Sequence, residues 1–326
     1  MVVVSDESDA GAAKACCYKP VERLGSGGMG EVWRARHGML DRPAAIKFIR
    51  PERLAVGDGV SAKRTREQFE REAQATASLT SPHTIDLFDF GVSEEGQFYY
   101  VMELLDGIDL RSLVRRFGPI PADRAIHFLR QTCHSLAEAH AAGLIHRDVK
   151  PANIYTCRRG LDHDFVKVLD FGLVVRSDDL EGGGSDLVAG TPAFMAPEIV
   201  TGSRRMDGRS DIYSLGCVAY WLVTGQPVFE GASVSEVIRR HVEDPPQPFA
   251  EKTEMDVPVE FERVVLDCLQ KDAEQRPRTA GDLAARLSDC ESVAGTWTSD
   301  QAAYWWALHR PTAGIAGEST RSHLQS

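Results

Sequence analysis

One short stretch, HRDVKPAN at residues 146–153, constrains the fold of this chain of 326 residues more than any other feature. It places Asp148, Lys150 and Asn153 close together, with apolar residues on both sides. The residues DFG begin at Asp170, 17 positions after Asn153 and directly behind the strand-like run VKVL. A charged surface loop would not need this second motif at a defined spacing. The pattern therefore favours a loop whose side chains act together at one site.

A glycine-rich stretch, GSGGMGEV, holds Gly25, Gly27 and Gly30 in a GxGxxG pattern that is weak by itself. A plain glycine-rich hairpin and a dinucleotide-binding turn are the two readings that compete with a phosphate-binding hairpin. A dinucleotide site requires a helix that opens at the third glycine and an acidic residue about 20 positions later. A strand-like segment follows here instead. The pattern thus favours a hairpin whose bare backbone N–H groups can approach a triphosphate.

Lys47 lies inside the apolar strand-like segment AAIKF. A lysine on an edge strand usually points to water, but one flanked by Ile46 and Phe48 is costly to bury unless it is paired. Glu72, taken alone, would be a solvated helix residue. It lies three residues after Phe69, however, on the inward side of the next predicted helix. Glu72 is therefore the predicted partner of Lys47.

The chain changes character near its first third, which predicts two lobes. Residues 18–105 are mainly strand-like with one helical segment, whereas residues 106–290 contain long apolar and amphipathic helical stretches. This order predicts an α+β fold, with a small lobe of antiparallel β-sheet plus one helix and a large, mainly α-helical lobe. Residues 1–17 are predicted to be a disordered N-terminus, and residues 291–326 a C-terminal helix with a loose tail.

Composition narrows the function classes. A net charge of -11 argues against non-specific binding to nucleic acid and against docking on an anionic membrane. No apolar run approaches the roughly 18 residues that a membrane span requires, and the N-terminus does not resemble a signal peptide. Seven scattered cysteines without a CxxC pair predict a reduced, cytoplasmic location and disfavour a zinc site.

More motifs follow DFG in a fixed order: GTPAFMAPE, then SDIYSLG, then QRP. Together with the glycine hairpin, the AxK strand, the helix glutamate and HRDxKxxN, they resemble the eukaryotic-type (Hanks-type) serine/threonine protein kinases, and bacterial members most of all. The resemblance covers residues 18–290. It implies a protein-kinase-like bilobal fold, and ATP- and Mg²⁺-dependent phosphoryl transfer to serine and threonine hydroxyls of protein substrates in bacterial signalling, with autophosphorylation.

The resemblance assigns catalytic roles to four residues. Lys47 would hold the α- and β-phosphates of ATP and would pair with Glu72. Asp148 would accept the hydrogen bond of the substrate hydroxyl and orient its oxygen. Lys150 would approach the γ-phosphate, and its presence is typical of serine/threonine rather than tyrosine kinases. All of these residues are present, whereas a pseudokinase scaffold usually lacks at least one of them.

The resemblance also implies the ligand sites. Asn153 and Asp170 would hold Mg²⁺, which prefers hard oxygen ligands. Tyr155 stands where a smaller aliphatic residue often packs below the adenine. The implied ATP-binding residues are Gly25, Gly27, Gly30, Val32, Ala45, Lys47, Met102, Glu103, Leu105 and Asp109.

Features outside the site are implied as well. Glu198 would form a structural ion pair with Arg276, and Asp211 would brace the backbone of the catalytic loop. Bacterial relatives commonly pair through the small lobe, which makes a homodimer of that kind an expectation.

Activation-segment regulation stays open at this stage. Arg147 precedes Asp148, as in kinases that a phosphate on the activation segment switches on. The segment between DFG and GTP offers Ser177 and Ser185 but no threonine. A phosphoserine there could bind Arg147 by charge-assisted hydrogen bonds. The segment is already acidic, so regulatory phosphorylation and a constitutively acidic loop are both compatible with the sequence.

The C-terminal stretch GTWTSDQAAYWWALHRP holds three of the five tryptophans. One interpretation is a terminal helix packed on the large lobe, and the other is a docking helix for a partner. A dinucleotide-dependent oxidoreductase, the remaining function class, would require a strand–helix–strand unit around the glycines. The sequence favours an active kinase and does not name its protein substrates.

Overall fold

The computed structural model describes residues 17–27, 30–49, 70–71, 73–93, 96–171, 192–202 and 206–310. Three residues with predicted roles, Glu72, Ser177 and Ser185, lie outside these ranges, as do nearly all of the predicted disordered N-terminus and the end of the chain after residue 310.

The small lobe is a five-stranded antiparallel sheet with the spatial order β1-β2-β3-β5-β4. Residues 70–71 and 73–77 are helical and follow β3 in the chain. The prediction that this lobe consists of an antiparallel β-sheet and one helix is confirmed. The strands are β1 (Tyr18–Gly27), β2 (Gly30–His37), β3 (Pro43–Ile49), β4 (Leu87–Val92) and β5 (Phe98–Glu103).

Strand β3 divides its side chains between the two faces of this sheet, as the two-residue period of a strand requires. Ile46 and Phe48 enter one buried cluster. Ala45 and Ile49 enter clusters on the opposite face. Lys47 lies between Ala45 and Ile49 on that opposite face, and only 7% of its surface is exposed. This alternation turns the Lys47 side chain toward the large lobe.

The large lobe is mainly helical and also carries a three-stranded sheet with the order β6-β7-β8. Its strands are β6 (Gly107–Asp109), β7 (Ile154–Arg159) and β8 (Asp162–Val168). The described helices are α1 (Leu110–Phe117), α2 (Ala122–Ala141), α3 (Pro197–Thr201), α4 (Gly208–Thr224), α5 (Val234–Glu243), α6 (Val259–Cys268), α7 (Ala280–Ala294) and α8 (Ser299–His309).

Strands β7 and β8 are longer than the sequence pattern predicts. We expect short strands at residues 153–156 and 165–169 with an irregular polar segment between them, but the structure has one hairpin. Its register runs from Ile154 opposite Val168 to Arg159 opposite Asp162. The polar residues pair across the hairpin through their backbones, and Gly160 adopts a φ of 62° in the turn. Backbone pairing needs no apolar side chains, which explains why the pattern missed it.

Glycine residues lie at the C-terminal ends of two helices of the large lobe. Gly143, the residue after the C-cap of α2, has a φ of 77°, and Gly225 ends α4 with a φ of 69°, both in the left-handed region that favours glycine. Gly216 lies where α4 approaches α6, and a Cβ there would come within 2.8 Å of the Cβ of Cys268. These two helices and α2 contribute much of the large apolar core of this lobe.

The described cysteines are all free thiols, and burial raises the pKa of Cys157 and of Cys268 to about 12. A high pKa keeps such thiols protonated and unreactive. Within the described ranges, none of the helices has the length and apolarity needed to cross a membrane.

Candidate active site

Two polar side chains of the catalytic loop converge on the carboxylate of Asp148. The Nζ of Lys150 lies 2.6 Å from Oδ2 of Asp148. The Nδ2 of Asn153 donates to the same oxygen at 2.9 Å and to the backbone oxygen of Asp148 at 2.9 Å. A charged lysine and an amide therefore fix the orientation of the Asp148 carboxylate. The structure thus brings together three residues that the sequence predicts to act as a unit.

Asp211 of helix α4 holds the backbone of this loop. Its buried carboxylate accepts the N–H of His146 at 2.8 Å and the N–H of Arg147 at 2.9 Å. His140 of helix α2 adds a third contact through Nε2 at 2.7 Å. Arg147 has a φ of 65°, a left-handed conformation that costs energy in a residue with a side chain. The Asp211 contacts offset that cost immediately before Asp148.

His146 connects the loop to the DFG segment. Its Nδ1 accepts the N–H of Asp148 at 3.3 Å, and its Nε2 donates to the carbonyl of Leu169 at 2.9 Å. One neutral tautomer, protonated on Nε2, serves both bonds. The His146 ring also contacts the ring of buried Phe171, with 4.6 Å between centroids. The catalytic loop and Asp170 are therefore held at a fixed separation.

Lys47 of the small lobe reaches Asp170 of the large lobe. The Lys47 Nζ lies 2.6 Å from Oδ2 of Asp170, and both side chains are largely buried. Burial by itself raises the pKa of the Asp170 carboxyl, but the charge and hydrogen bond of Lys47 outweigh it and lower that pKa. Lys47 is therefore buried and paired, as expected, and the partner that the structure shows for it is Asp170. The predicted pairing with Glu72 lies outside the described residues.

Between the lobes lies an apolar cluster that contains four of the predicted ATP-binding residues. Ala45 and Met102 are buried, with Val32 and Leu105 packed against them. Leu169 belongs to the same cluster, although the sequence analysis did not single it out. Its position directly before Asp170 could have indicated this. The other members are Ile85, Leu87 and Leu104.

The glycine hairpin is aligned with Lys47 through strand register. Gly25 on β1 lies opposite Val32 on β2, and Val32 lies opposite Lys47 on β3. Gly30 has a φ of 149°, and a Cβ on it would come within 1.8 Å of the backbone oxygen of Phe48. Only glycine fits at that position. The hairpin, the apolar Val32 and the ammonium group of Lys47 therefore share one edge of the cleft.

The segment between the lobes is fixed by a buried lysine that the sequence analysis missed. Lys167 of β8 is almost wholly buried, and its Nζ lies 2.5 Å from Oε1 of Glu103. The backbone N–H of Glu103 donates to the oxygen of Asp86 at 3.0 Å. The Glu103 side chain and backbone are therefore both held in place where the chain passes from one lobe to the other. The position of Lys167 within the apolar run VKVL could have indicated that this lysine is buried and paired.

Asp109 lies at the junction of β6 and α1. Its Oδ1 accepts the N–H of Ser112 at 2.9 Å and thereby caps helix α1. Tyr155 lies opposite Asp109 in the strand register. Burial raises the pKa of Tyr155, and the negative charges of Asp109 and Asp170 add to that effect. Tyr155 therefore lies near both carboxylates on the large-lobe side of the cleft.

The side-chain oxygens at the predicted metal site fit a hard divalent cation. Asn153 uses its Nδ2 toward Asp148, which leaves its amide oxygen as the ligand atom. Asp170 presents a carboxylate kept ionised by Lys47. The Leu169 N–H donates to the backbone carbonyl oxygen of Asn153 at 2.8 Å and ties the two segments together. Carboxylate and amide oxygens are the ligands that Mg²⁺ prefers.

Comparison with known proteins identifies this arrangement. The family model of the protein kinase domain matches residues 18–286. The chain belongs to the protein kinase family. The resemblance to the serine/threonine kinases is confirmed by its relatives, and the bilobal fold is confirmed by its structural neighbours.

Two bacterial relatives illustrate how far this kinase domain extends. It is 38% identical to the serine/threonine-protein kinase pkn3 of Myxococcus xanthus, over 86% of this chain and 51% of that protein. It is 39% identical to the serine/threonine-protein kinase PknB of Mycolicibacterium smegmatis, over 83% of this chain and 42% of that protein. The chain thus spans about half, or less, of the length of these relatives.

A solved structure shows the same fold. The kinase domain of PknI from Mycobacterium tuberculosis, crystallised as a double mutant, superposes with a TM-score of 0.66 at 25% sequence identity. The similarity covers 89% of this chain and 99% of the PknI chain. Family members use ATP and a divalent metal in general. The roles of individual residues in this kinase domain stay predictions.

Proposed function

We propose that this kinase domain transfers the γ-phosphoryl group of Mg²⁺-bound ATP to serine and threonine hydroxyls of protein substrates. The observation that carries the proposal is the convergence of Lys150 and Asn153 on Asp148, next to the Lys47–Asp170 pair. Phosphoryl transfer depends mainly on positioning and on neutralising the charge of the phosphate oxygens. A site with two lysines and three oxygen-bearing side chains meets both requirements.

Each side chain has a distinct task in the proposal. Asp148 accepts the hydrogen bond of the acceptor hydroxyl and points its oxygen at the γ-phosphorus. Lys150 lies beside Asp148 and neutralises charge on the transferred group. Lys47 binds the α- and β-phosphates of ATP. Asn153 and Asp170 would hold Mg²⁺, which would supply positive charge that neutralises the phosphate oxygens.

The nucleotide base occupies the apolar cluster between the lobes. Val32 and Ala45 enclose the adenine ring, and Met102 closes the back of its pocket; all three residues belong to this cluster. The backbone groups of Glu103 and Leu105 face the adenine edge. Asp109 binds the ribose hydroxyls. The glycine hairpin with Gly25, Gly27 and Gly30 covers the phosphates.

Regulation is proposed to involve autophosphorylation at Ser177 or Ser185, with Arg147 as the phosphate-binding side chain. We also propose that the domain works in the cytoplasm, in bacterial signalling, which the free thiols of the described cysteines favour. Pairing of two chains through the small lobe is part of the same proposal, and sedimentation at increasing protein concentration tests it.

The decisive experiment is transfer of radiolabelled phosphate from Mg²⁺-ATP to a generic basic protein, followed by identification of the phosphorylated residues. Labelled phosphoserine and phosphothreonine without phosphotyrosine support the proposal. A purified, folded protein that binds ATP and transfers nothing under these conditions would instead be a nucleotide-binding pseudokinase. If the protein transfers phosphate, phosphosite mapping after incubation with cell lysate would identify its substrates.

A further inference from the structure

The segment Trp297–Arg310, here called the C-terminal clamp, follows the family match that ends at residue 286. Its centre is helix α8, whose N-cap Thr298 forms a capping box with Gln301. The helix packs against strand β8 of the large lobe. This placement agrees with the first of the two interpretations of the tryptophan-rich stretch. The contacts of the clamp assign it a task in the nucleotide site.

The clamp is anchored on one buried carboxylate, Asp164 of β8, which has no exposed surface. The indole Nε1 of Trp306 donates to Oδ1 of Asp164 at 2.7 Å, and that of Trp297 donates to Oδ2 at 2.9 Å. Arg124 of helix α2 forms a bidentate pair with the same carboxylate, at 2.9 Å for both bonds. A buried charge that is fully hydrogen-bonded in this way holds its partners firmly.

A group of aromatic rings contacts the C-terminal end of helix α1. The Trp305 ring contacts Phe117, the last residue of α1, edge-on with 5.1 Å between centroids. His309 contacts the same phenylalanine at 5.1 Å and stacks on Trp305 at 4.7 Å. The Arg124 guanidinium lies 4.0 Å from the Trp305 ring centroid and supports the stack from behind.

The last residue of the clamp holds the start of strand β6. Arg310 Nη1 donates to the carbonyl of Gly107 at 2.7 Å. Arg158 of β7 in turn donates to the carbonyl of Arg310, and its backbone N–H donates to the oxygen of Asp106 at 3.0 Å. Gly107 lies tightly against β7, since a Cβ on it would come within 2.5 Å of the Thr156 oxygen. The start of β6 is therefore held between β7 on one side and Arg310 on the other.

These contacts enclose the element that carries Asp109. Strand β6 and helix α1 form one continuous stretch from Gly107 to Phe117, with Asp109 as the cap between them. Arg310 holds its first residue, and Trp305 with His309 holds its last. We propose that the C-terminal clamp positions Asp109 for the ribose of ATP, and that Arg310 is a positioning residue for nucleotide binding. The inference rests on the proposed role of Asp109.

The test is a double-mutant cycle on the full chain, read as the dissociation constant of Mg²⁺-AMP-PNP by titration calorimetry. The variants are Arg310→Ala, Asp109→Ala and the pair. Arg310→Lys keeps a donor for Gly107, and Tyr304→Ala on the exposed face of α8 is the matched control. Thermal melts of every variant check that the fold is retained.

The expected results follow from the loss of single hydrogen bonds. Arg310→Ala weakens nucleotide binding about fivefold, and Arg310→Lys recovers most of that loss, in line with the usual contribution of one such bond. Asp109→Ala weakens nucleotide binding about tenfold. The double variant is also about tenfold weaker, rather than the about fiftyfold expected for independent residues, because Arg310 and Asp109 act through one contact. Tyr304→Ala binds like the wild type. Phosphoryl transfer at saturating ATP changes little in Arg310→Ala.

The outcomes separate this inference from the proposed function. Wild-type affinity in Arg310→Ala together with weak binding in Asp109→Ala overturns the clamp and leaves the role of Asp109 standing. A fully multiplicative loss in the double variant also overturns it, because Arg310 would then act independently of Asp109. Unchanged nucleotide affinity in Asp109→Ala would contradict the proposed ribose contact of Asp109 and, with it, the positioning role of the clamp. Equal losses in Arg310→Ala and Tyr304→Ala would assign the effect to general destabilisation of α8.

Discussion

The ammonium nitrogen of Lys47 lies 2.6 Å from a carboxylate oxygen of Asp170, although the two residues are 123 positions apart in the chain. One belongs to the small lobe and the other to the large lobe. In the proposed reaction both groups surround the phosphates of ATP, Lys47 directly and Asp170 through Mg²⁺. The pair therefore brings the two lobes together at the point where the transferred group must be neutralised.

Replacing Lys47 by methionine should abolish phosphoryl transfer. Lys47→Met keeps a side chain of similar length but removes the charge, so the phosphates lose a ligand. We expect a fall in phosphate transfer of at least about a hundredfold, the lower range for losing one charge-stabilising group. Transfer to a generic basic protein measures it, with Lys19→Met on an exposed strand position as the control. Near wild-type turnover would show that the assigned role is wrong.

Replacing Asp148 by asparagine tests the catalytic loop. Asp148→Asn retains the shape of the side chain, but an amide cannot accept the acceptor hydroxyl's proton or balance the charge of Lys150. A positioned base contributes about 10²–10⁴-fold, and we expect a loss in that range. Single-turnover transfer from labelled ATP measures it, and unchanged nucleotide affinity shows that the site is intact. The exposed Asp289→Asn is the matched control. Transfer within twofold of the wild type would exclude Asp148 as the catalytic carboxylate.

Glu198 should make stability depend on pH. Burial alone raises the pKa of Glu198, but bonds from Arg276 at 2.8 and 2.9 Å and from Ser210 at 2.6 Å lower it overall. The pKa of Glu198 in the folded protein lies below its value of about 4.3 in the unfolded chain. The ionised Glu198 carboxylate therefore contributes fully to the free energy of unfolding above about pH 4.3. This contribution is lost as the pH falls through the pKa of the folded state.

Glu198→Gln should therefore lower the free energy of unfolding by about 3 kcal/mol at pH 6, as expected for a disrupted buried ion pair. The gap to the wild type should narrow as the pH falls below about 4.3. Urea unfolding at several pH values measures the gap, and Glu243→Gln in an exposed pair with Arg239 is the control. A gap that stays constant from pH 6 to strongly acidic conditions would contradict the assignment.

Replacing Trp306 by phenylalanine should destabilise the large lobe. The change keeps an aromatic ring but removes the Nε1–H that donates to Asp164 at 2.7 Å. A buried carboxylate left one hydrogen bond short costs about 1–3 kcal/mol. Urea unfolding measures this loss. Tyr304→Phe, at an exposed position of the same helix, should have no comparable effect. Equal stability of Trp306→Phe and the wild type would mean that the other donors to Asp164 suffice.

Phosphate on the activation segment is the remaining prediction. We expect mass spectrometry to find phosphoserine at Ser177 or Ser185 after incubation with Mg²⁺-ATP. A Ser177→Ala/Ser185→Ala double variant should then lose most of its activity, because Arg147 would lack its anionic partner. The Asp148→Asn protein distinguishes self-phosphorylation from phosphate acquired during expression. A double variant as active as the wild type would show that activation-segment phosphate is dispensable.

Much of the fold and the site could be predicted from local sequence. The alternation along β3 assigns Lys47 to the face opposite Ile46, because a strand repeats every two residues. Helix ends are marked by glycines such as Gly225, whose left-handed backbone is strained for other residues. The catalytic loop could be predicted as a unit, since Asp148 and Asn153 are only five positions apart and their mutual geometry is set locally.

Contacts between distant segments were decided only by the tertiary structure. The sequence does not show that Lys167 ends beside Glu103, or that Asp164 gathers Arg124, Trp297 and Trp306. A periodic pattern reports which face of an element is buried, but it does not report which element covers that face. A buried charge therefore reveals that it needs a partner, and packing of the whole chain determines which residue becomes that partner.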